Sequence, residues 1–230
     1  MRLVIKISGE GLQSGKERYS SAVLDQLSQQ VKQLMADGHA LALVVGGGNL
    51  FRGKTLSGEY GVSRATADYI GMLATVQNAL VLRDFFNSHG IETRVASAIA
   101  MPQVCEEYIP KRALRHLDKG RVVIFAAGLG LPYFSTDSCA VQRALEMTAD
   151  RLIMAKHGVE GVYSADPRKD AHAVLLKTVD ATTAIEQGLA VADLSSLALA
   201  KENNLVIKVV SMEQLGNCLD EQTGSVVEPQ

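Results

Sequence analysis

Short apolar runs rich in β-branched residues alternate along the chain with longer stretches in which apolar residues recur at helical spacing. The runs predict strands over residues 3–7, 41–45, 93–97, 121–126, 151–155 and 206–211. The longer stretches predict helices over about 21–37, 65–87, 111–117, 137–147, 182–187 and 195–202, and residues 163–173 are typical of a loop. This alternation predicts an α/β fold, in which helices cover a mostly parallel sheet.

Local signals mark several helix ends. Ser20 or Ser21 is suited to cap the first helix and Gly38 to end it, while Thr136 or Asp137 is suited to cap the fourth. The pattern of predicted elements becomes looser near residue 150, but no segment there has the composition of a flexible linker. We therefore expect one domain over residues 1–230, divided into parts of roughly 1–150 and 151–230.

Composition narrows the class of protein. The chain has 230 residues, 47% of them hydrophobic, with 23 Lys and Arg against 25 Asp and Glu. This near-neutral balance argues against disorder and against a nucleic-acid-binding surface. No stretch is long and apolar enough for a membrane span, and Lys6 interrupts the apolar start too early for a signal peptide, so a cytoplasmic protein is expected. The three cysteines form no CxxC pair and are expected to be buried thiols.

Turns of small residues follow the first, second and fourth predicted strands. They read Ser8-Gly9-Glu10, Gly46-Gly47-Gly48-Asn49 and Gly128-Leu129-Gly130-Leu131. Each alone is compatible with a structural turn. In parallel α/β sheets, however, the carboxyl ends of the strands form the ligand crevice, and glycine lets backbone N–H groups approach phosphate oxygens. Together the turns predict one extended phosphate-binding site.

Charged residues near these turns are candidates for its chemistry. Lys6 interrupts an apolar strand, which is costly unless its ammonium group reaches a site, a partner or water at a sheet edge. In a site it would place a positive charge on a transferred phosphoryl group. Arg52, Asp68 and Asp137 lie where they could address phosphates, sugar hydroxyls or a cation, or could simply be solvated surface residues.

Other motifs carry less weight. Residues 48–55, GNLFRGKT, match the P-loop pattern, but the Ser and Gly residues over 56–62 favour a loop where a P-loop needs a helix. The five histidines form no HExxH motif and no close pair, so a metal-dependent hydrolase is not indicated. The chain also lacks the G-x-S-x-G motif of a nucleophile elbow.

Four ordered motifs carry a resemblance to a known family. They are KISGEGL (6–12), VVGGGNLFRG (44–53), ADYIGMLATVQN (67–78) and GVYSADPRKD (161–170). In this order and spacing they resemble the bacterial UMP kinases of the amino-acid-kinase family over residues 2–227. The resemblance also explains the P-loop match as a coincidence of GGGNLFRG followed by Lys54 and Thr55.

The resemblance implies a three-layer sandwich of the amino-acid-kinase type and transfer of the γ-phosphoryl group of ATP to UMP, with Mg²⁺. It further implies a cytoplasmic homohexamer in pyrimidine biosynthesis, with GTP and UTP as possible effectors. No protein nucleophile is required, because phosphoryl transfer depends on in-line positioning and on cations at the equatorial oxygens.

The resemblance also assigns residues, position by position. Lys6, Arg52 and Asp137 would be catalytic, with Asp137 beside Lys6, orienting it and helping to organise magnesium. No side chain is assigned as a direct metal ligand. The ATP set would be Lys6, Ile7, Ser8, Gly9, Gly48, Arg52, Lys156 or His157, Tyr163 and Asp166, with the last four at the nucleotide end. The UMP set would be Gly47, Asp68, Leu129, Gly130, Leu131, Pro132, Tyr133, Phe134, Ser135 and Thr136.

Two departures from the family pattern leave alternatives open. The usual GTGNP is replaced by Gly128-Leu129-Gly130-Leu131-Pro132, and residues 14–19 lack the glycine-rich segment linked to GTP activation. Leucines in place of Thr and Asn are compatible with a paralogue that phosphorylates another acceptor. A catalytically weak nucleotide-binding regulator is the alternative outside enzymology.

Overall fold

A computed structural model describes residues 1–51 and 61–230 of the chain. The segment 52–60 lies outside the described residues, and with it Arg52, the second half of the P-loop match (52–55) and most of the loop predicted over 56–62. Within the described ranges, no helix combines the length and apolar character that a bilayer crossing requires.

Among the described residues, nine strands form a mixed sheet at the centre of the fold. They are β1 (Arg2–Ile7), β2 (Ala40–Val45), β3 (Thr93–Ser97), β4 (Glu106–Glu107), β5 (Val122–Ala126), β6 (Arg151–Lys156), β9 (Thr178–Asp180), β10 (Ile207–Ser211) and β11 (Ser225–Glu228). Their order in the sheet is β4-β3-β5-β2-β1-β6-β10-β11-β9, and all neighbours in it are parallel except β10 and β11. A separate antiparallel pair consists of β7 (Val162–Tyr163) and β8 (Leu175–Leu176).

Helices cover both faces of the sheet. They are α1 (Ser21–Ala36), α2 (Arg64–Ser88), α3 (Pro110–Asp118), α4 (Thr136–Glu146), α5 (Ala181–Glu186) and α6 (Leu194–Glu202). Short 3₁₀ helices span Gly9–Leu12 and Met212–Asn217. One apolar cluster packs α1 and α2 against one face, and a second packs α3 to α6 against the other. The predicted α/β class and three-layer arrangement are confirmed.

The predicted elements agree with the structure, and their differences lie at ends and edges. The fourth long helix is capped by Ser135, whose side chain accepts from the N–H groups of Asp137 and Ser138, so the prediction of Thr136 or Asp137 as the cap is wrong. The two- to four-residue strands β4, β7, β8, β9 and β11 were not predicted, because segments this short carry little periodic signal. Strands β1 and β6 pair directly, so one sheet runs through both parts of the chain.

Parallel pairing aligns the carboxyl ends of the central strands at one edge of the sheet. Lys6 in β1 lies level with Val44 in β2 and Met154 in β6, and Ser211 in β10 lies level with Lys156. The turns after these strands therefore meet at the same edge, as the pattern of small-residue turns predicts.

Candidate active site

A cleft of about 820 Å³ opens at this edge beside β2 and β5. It lies between the glycine turn after β2, the first half of α2, and residues 127–135, which connect β5 to α4 and are called the short loop below. The cleft is lined by Gly47 and Gly48, by Asp68 and Thr75 of α2, by Leu129, Leu131, Tyr133, Phe134 and Ser135 of the short loop, and by Thr136. Gly130 and Pro132 belong to the same loop without lining the cleft.

Lys6 and Asp137 form an ion pair at the carboxyl edge of the sheet, next in the chain to the cleft residue Thr136 but not among the residues that line the cleft. Side chains alternate along a strand, so Lys6 projects to the same face of β1 as Val4, which is the face that α4 covers. Its Nζ lies 2.9 Å from Oδ1 of Asp137 in the first turn of α4, and the two side chains are 12% and 19% exposed. Lys6 is therefore not an edge lysine in water, since β1 lies between β2 and β6.

Asp68 faces the cleft from α2 and already has partners. Arg64 Nε donates to both carboxylate oxygens of Asp68, at 2.8 and 2.9 Å, and the Tyr133 N–H donates to Oδ2 at 2.8 Å. The Arg64 guanidinium also lies 5.5 Å from the centre of the Tyr133 ring. Asp68 thus fastens the middle of the short loop to α2.

The start of the short loop is held from two sides. The Ala127 N–H donates to Thr75 Oγ1 at 2.8 Å, and the Arg143 side chain donates to the Gly128 carbonyl at 3.3 Å. Arg143 is only 4% exposed and lies 3.7 Å from the centre of the Tyr108 ring. Ala127, like Tyr133, has a positive φ, which non-glycine residues rarely adopt and which such contacts must stabilise.

Asp193 holds the end of the short loop. Its carboxylate accepts hydrogen bonds from the hydroxyls of Ser135, Ser138, Ser195 and Ser196, and it caps α6 through the Ser196 N–H at 3.0 Å. Burial alone would raise the pKa of Asp193, but the hydrogen bonds from Ser135 and Ser196 outweigh it and hold the pKa below its ordinary value. The carboxylate thus joins the N-termini of α4 and α6.

Lys156, at the end of β6, belongs to the same charged group. Its Nζ donates to the Val191 carbonyl at 2.6 Å. Burial lowers the pKa of Lys156, the carboxylates of Asp137 and Asp193 oppose this shift, and the charge of Lys6 adds to it. The resemblance implies Lys156 or His157 at the nucleotide end of ATP, and in the structure Lys156 lies among the charges around Lys6.

A second cavity, of about 680 Å³, opens beside β6 and β10. It is lined by Gly158, Glu160, Tyr163, Pro167, Arg168, Ser211 and Gln214, among others. Asp166 accepts hydrogen bonds from the side chain and the backbone N–H of Arg168, each at 3.1 Å. These two hydrogen bonds hold the pKa of Asp166 below its ordinary value. His157 lines a different, smaller recess with Gln30 and Met212. Neither Lys156 nor His157 is among the residues that line the second cavity.

The turns after β1 and β2 are in close contact. A Cβ on Gly9 would lie 2.6 Å from the Gly46 carbonyl oxygen and 2.7 Å from the Gly48 nitrogen, so only glycine fits there. The Gly46 N–H donates to the Ile7 carbonyl at 2.9 Å, and the Ile7 side chain is buried in the core. Ser8 precedes the 3₁₀ helix Gly9–Leu12 that follows β1.

Asp137 is the residue that fits the magnesium implied by the resemblance. Its Oδ1 is buried and, among the described residues, has no hydrogen-bond partner beside the ion pair with Lys6. Mg²⁺ in kinases is held by one or two carboxylates together with substrate phosphates, so one such acid suits it. Within the described ranges, no group of three or more His, Cys, Asp or Glu side chains is arranged around a metal position.

Sequence reasoning missed the residues that support the short loop. They are Arg64, Thr75, Arg143 and Asp193. Asp193 had a usable signal, because Asp directly before a predicted helix start is a preferred N-cap residue. The other three look like ordinary helix residues, since only their long-range partners distinguish them.

Known proteins are similar to this chain in sequence and in fold. The sequence profile of the amino acid kinase family matches residues 1–211. A uridylate kinase of Arthrobacter sp. (strain FB24) is 49% identical over 99% of this chain and 94% of its own length. Another, of Clavibacter michiganensis subsp. michiganensis (strain NCPPB 382), is 50% identical over 94% of this chain and 90% of its own length.

Solved structures agree with these relatives. The UMP kinase of Bacillus anthracis superimposes with a TM-score of 0.94 at 36% identity, covering 100% of this chain and 96% of that one. The UMP kinase of Ureaplasma parvum gives a TM-score of 0.92 at 33% identity, covering 99% and 98%. The profile match, the high identity over nearly the whole length and the shared topology lead to one conclusion: the chain belongs to the amino acid kinase family.

Proposed function

We propose that the chain is a UMP kinase, which transfers the γ-phosphoryl group of ATP to UMP and gives UDP and ADP in pyrimidine nucleotide biosynthesis. The observation that carries this proposal is the ion pair of Lys6 and Asp137, 2.9 Å apart at the carboxyl edge of the sheet. The uridylate kinase relatives, aligned over nearly their full length, support the same reaction.

The position of Lys6 on the strand between β2 and β6 suits a reaction between two nucleotides. Strand β1 lies between β2, whose following turn lines the 820 Å³ cleft, and β6, whose following residues line the 680 Å³ cavity. UMP in the cleft and the nucleotide end of ATP in the second cavity would direct their phosphates toward each other at Lys6. That arrangement is what in-line transfer requires.

Electrostatics at Lys6 would provide the rate enhancement. Its ammonium group would stabilise the negative charge on the transferred phosphoryl group, and Asp137 would keep that group pointed at the reacting atoms. Lys156 lies among the same charges, so we assign it to the ATP phosphates rather than to the nucleotide end. Magnesium bound with ATP would neutralise further phosphate charge, with Asp137 as the residue that helps to hold it.

On the ATP side, the backbone of residues 6–9 and Gly48 would face the phosphates. Tyr163 and Asp166 would serve the nucleotide end, Tyr163 by lining the cavity and Asp166 through its bond to Arg168. Arg52 is carried over from the family pattern alone, since it lies outside the described residues.

On the UMP side, Gly47, Asp68 and the short loop would enclose the acceptor. Asp68 lines the cleft and would accept hydrogen bonds from ribose hydroxyls. The short loop, from Leu129 through Ser135, and Thr136 would surround the base and phosphate, with the Gly130 and Pro132 backbone shaping the loop.

A different acceptor is the second candidate, because Leu129 and Leu131 line the cleft where the family has polar side chains. Leu131 is 57% exposed, so it contributes apolar surface to the acceptor side. Restoring the polar residues with the double variant Leu129→Thr and Leu131→Asn should raise the preference for UMP over CMP. An unchanged ratio would assign these leucines to packing or to a subunit contact.

The proposal includes a cytoplasmic homohexamer, with GTP and UTP as the candidate effectors to be tested. Exposed Leu73, Val104 and Ile109 provide apolar surface that self-association would cover. Light scattering after size-exclusion chromatography measures the oligomer, and assays with each effector measure the response.

Nucleoside-diphosphate formation from ATP and Mg²⁺ with UMP, CMP, dTMP, AMP or GMP tests the function directly. Formation of UDP well above all other products is the expected result. Preference for another acceptor would favour the second candidate, and inactivity with all five would refute the proposed reaction.

A further inference from the structure

A pair of asparagines lies buried beneath the glycine turn after β2. Asn78, in the middle of α2, is 0% exposed, and Asn49, at the end of the turn, is 9% exposed. Asn78 Nδ2 donates to Asn49 Oδ1 at 2.7 Å, and Asn49 Nδ2 donates to Asn78 Oδ1 at 3.2 Å. The two amides thus bind each other reciprocally.

The remaining N–H donors of both amides and the second acceptor site of Asn78 Oδ1 are also used. Asn78 Nδ2 donates to the Gly46 carbonyl at 2.6 Å, and Asn78 Oδ1 accepts from the Tyr19 hydroxyl at 2.8 Å. Asn49 Nδ2 donates to the Arg18 carbonyl at 3.0 Å. The side chain of Asn78 therefore joins α2, the glycine turn and the segment before α1.

Stabilisation of the fold alone does not explain why two asparagines are buried at these positions. Asn78 lies between the buried residues Val76 and Ala79, where an apolar side chain would avoid the cost of desolvating an amide. A fully satisfied polar network instead fixes one arrangement of the groups it joins. Here those groups include the Gly46 carbonyl, at the start of the turn whose Gly47 and Gly48 line the 820 Å³ cleft.

The glycine turn is also closely packed on both of its sides. A Cβ on Gly47 would lie 2.8 Å from the Gly71 carbonyl oxygen, so the turn packs directly on α2. On its other side Gly9 lies against Gly46 and Gly48. A shift of Gly46 would therefore move the turns that follow β1 and β2 together.

We infer that Asn78 and Asn49, with Tyr19, are positioning residues for phosphoryl transfer: they hold the Gly46–Gly48 turn where the two phosphate groups meet. None of the three is among the residues that line the two cavities. The inference rests on the proposed function, because it takes the turn to cradle phosphates. Displacing reacting groups by about 1 Å costs about 100-fold in rate, so a small shift of the turn would lower kcat more than it weakens binding.

Steady-state kinetics of Asn78→Leu and Tyr19→Phe, with thermal unfolding of each protein, test this role. Asn78→Leu keeps a similar volume and removes the network, and we expect kcat to fall by about 30-fold while KM for UMP and ATP changes less than about threefold. Tyr19→Phe removes one hydrogen bond, and we expect kcat to fall by about threefold. Tyr69→Phe, at a residue 43% exposed, is the matched control and should leave kcat unchanged.

The outcomes separate positioning from stability. A lower melting temperature with wild-type kcat in both variants would overturn the inference, because a merely structural network leaves the turnover of folded molecules unchanged. If Asn78→Leu does not fold, Tyr19→Phe decides: reduced kcat supports the inference and wild-type kcat overturns it. Absence of UDP formation by the wild-type chain would overturn the proposed function and this inference together.

Discussion

Two loops border the site, and they are held in opposite ways. The short loop (127–135) is fastened by partners far away in sequence, at Thr75, Asp68, Arg143 and Asp193. Residues 164–174, the long loop between β7 and β8, are held mainly by bonds within the loop, such as those from Lys169 and Asp170 N–H to the Asp166 carbonyl.

The difference corresponds to what each loop would bind. Long-range partners fix a loop relative to the sheet, so the short loop has its geometry before a ligand arrives. Local bonds fix a loop only relative to itself and leave its backbone exposed, which is typical of segments that open at low free-energy cost. We therefore expect preformed recognition on the UMP side and adaptable recognition at the nucleotide end of ATP.

The largest effect is expected where both sides meet, at Lys6. Lys6→Ala removes the charge that would act on the transferred group, so we expect kcat to fall by about 100- to 1,000-fold. KM for UMP should change far less, because this charge acts mainly in the transition state. Steady-state kinetics measure both, with Lys32→Ala on the exposed face of α1 as the control. Near-wild-type turnover of Lys6→Ala would remove Lys6 from the reaction.

Asp68→Ala breaks the middle anchor of the short loop. It removes the acceptor of the Tyr133 N–H and the proposed partner of the ribose, so we expect KM for UMP to rise by about tenfold or more. KM for ATP should stay within about twofold, since the long loop is independent of this contact. Asp84→Ala, at an exposed position on the same helix, is the control. A parallel rise in both KM values would contradict the separation of the two sides.

Asp193→Asn weakens the contacts that hold the end of the short loop and should lower the stability of the folded protein. Replacing the carboxylate weakens its hydrogen bonds and the cap of α6, and we expect a loss of about 1 kcal/mol in the free energy of unfolding at neutral pH. Because the folded-state pKa of Asp193 is lowered, its contribution is fully present above the unfolded value of about 3.9. It is lost as pH falls through the folded-state pKa.

Denaturant unfolding across pH measures this linkage. The difference in unfolding free energy between the wild type and Asp193→Asn should be constant at neutral pH and shrink below about pH 4. A difference that grows on acidification would show that the carboxylate does not stabilise the fold in its charged form.

The smallest effect is expected in the long loop. Arg168 is 79% exposed and its pairing with Asp166 is local, so Arg168→Ala should raise KM for ATP by only about twofold. KM for UMP should not change. A large loss of kcat in this variant would mean that the long loop is as closely coupled to the reaction as the short loop is.

Much of the fold was predictable because its elements carry local periodicity. The run from Leu3 to Ile7 lies within β1, and the helical spacing over 65–87 corresponds to α2 (Arg64–Ser88). The glycine turns were predicted to converge, since the carboxyl ends of parallel strands share an edge. Lys6 stood out as a charge in an apolar strand. It pairs with Asp137 because its side chain projects to the face of β1 that α4 covers.

Other features depend on contacts that no local pattern contains. Ser135 and Asp193 are 58 residues apart, and Asn49 and Asn78 are 29 apart, yet each pair is joined by hydrogen bonds. The position of Lys156 among the charges around Lys6 likewise follows from the pairing of β6 with β1 and from the Val191 carbonyl. Sequence periodicity determines which residues face the core, but packing of the helices on the sheet determines which buried polar groups meet. The sequence by itself therefore determined the α/β elements and the edge where the site lies, and only the tertiary structure decided how the loops at that edge are held.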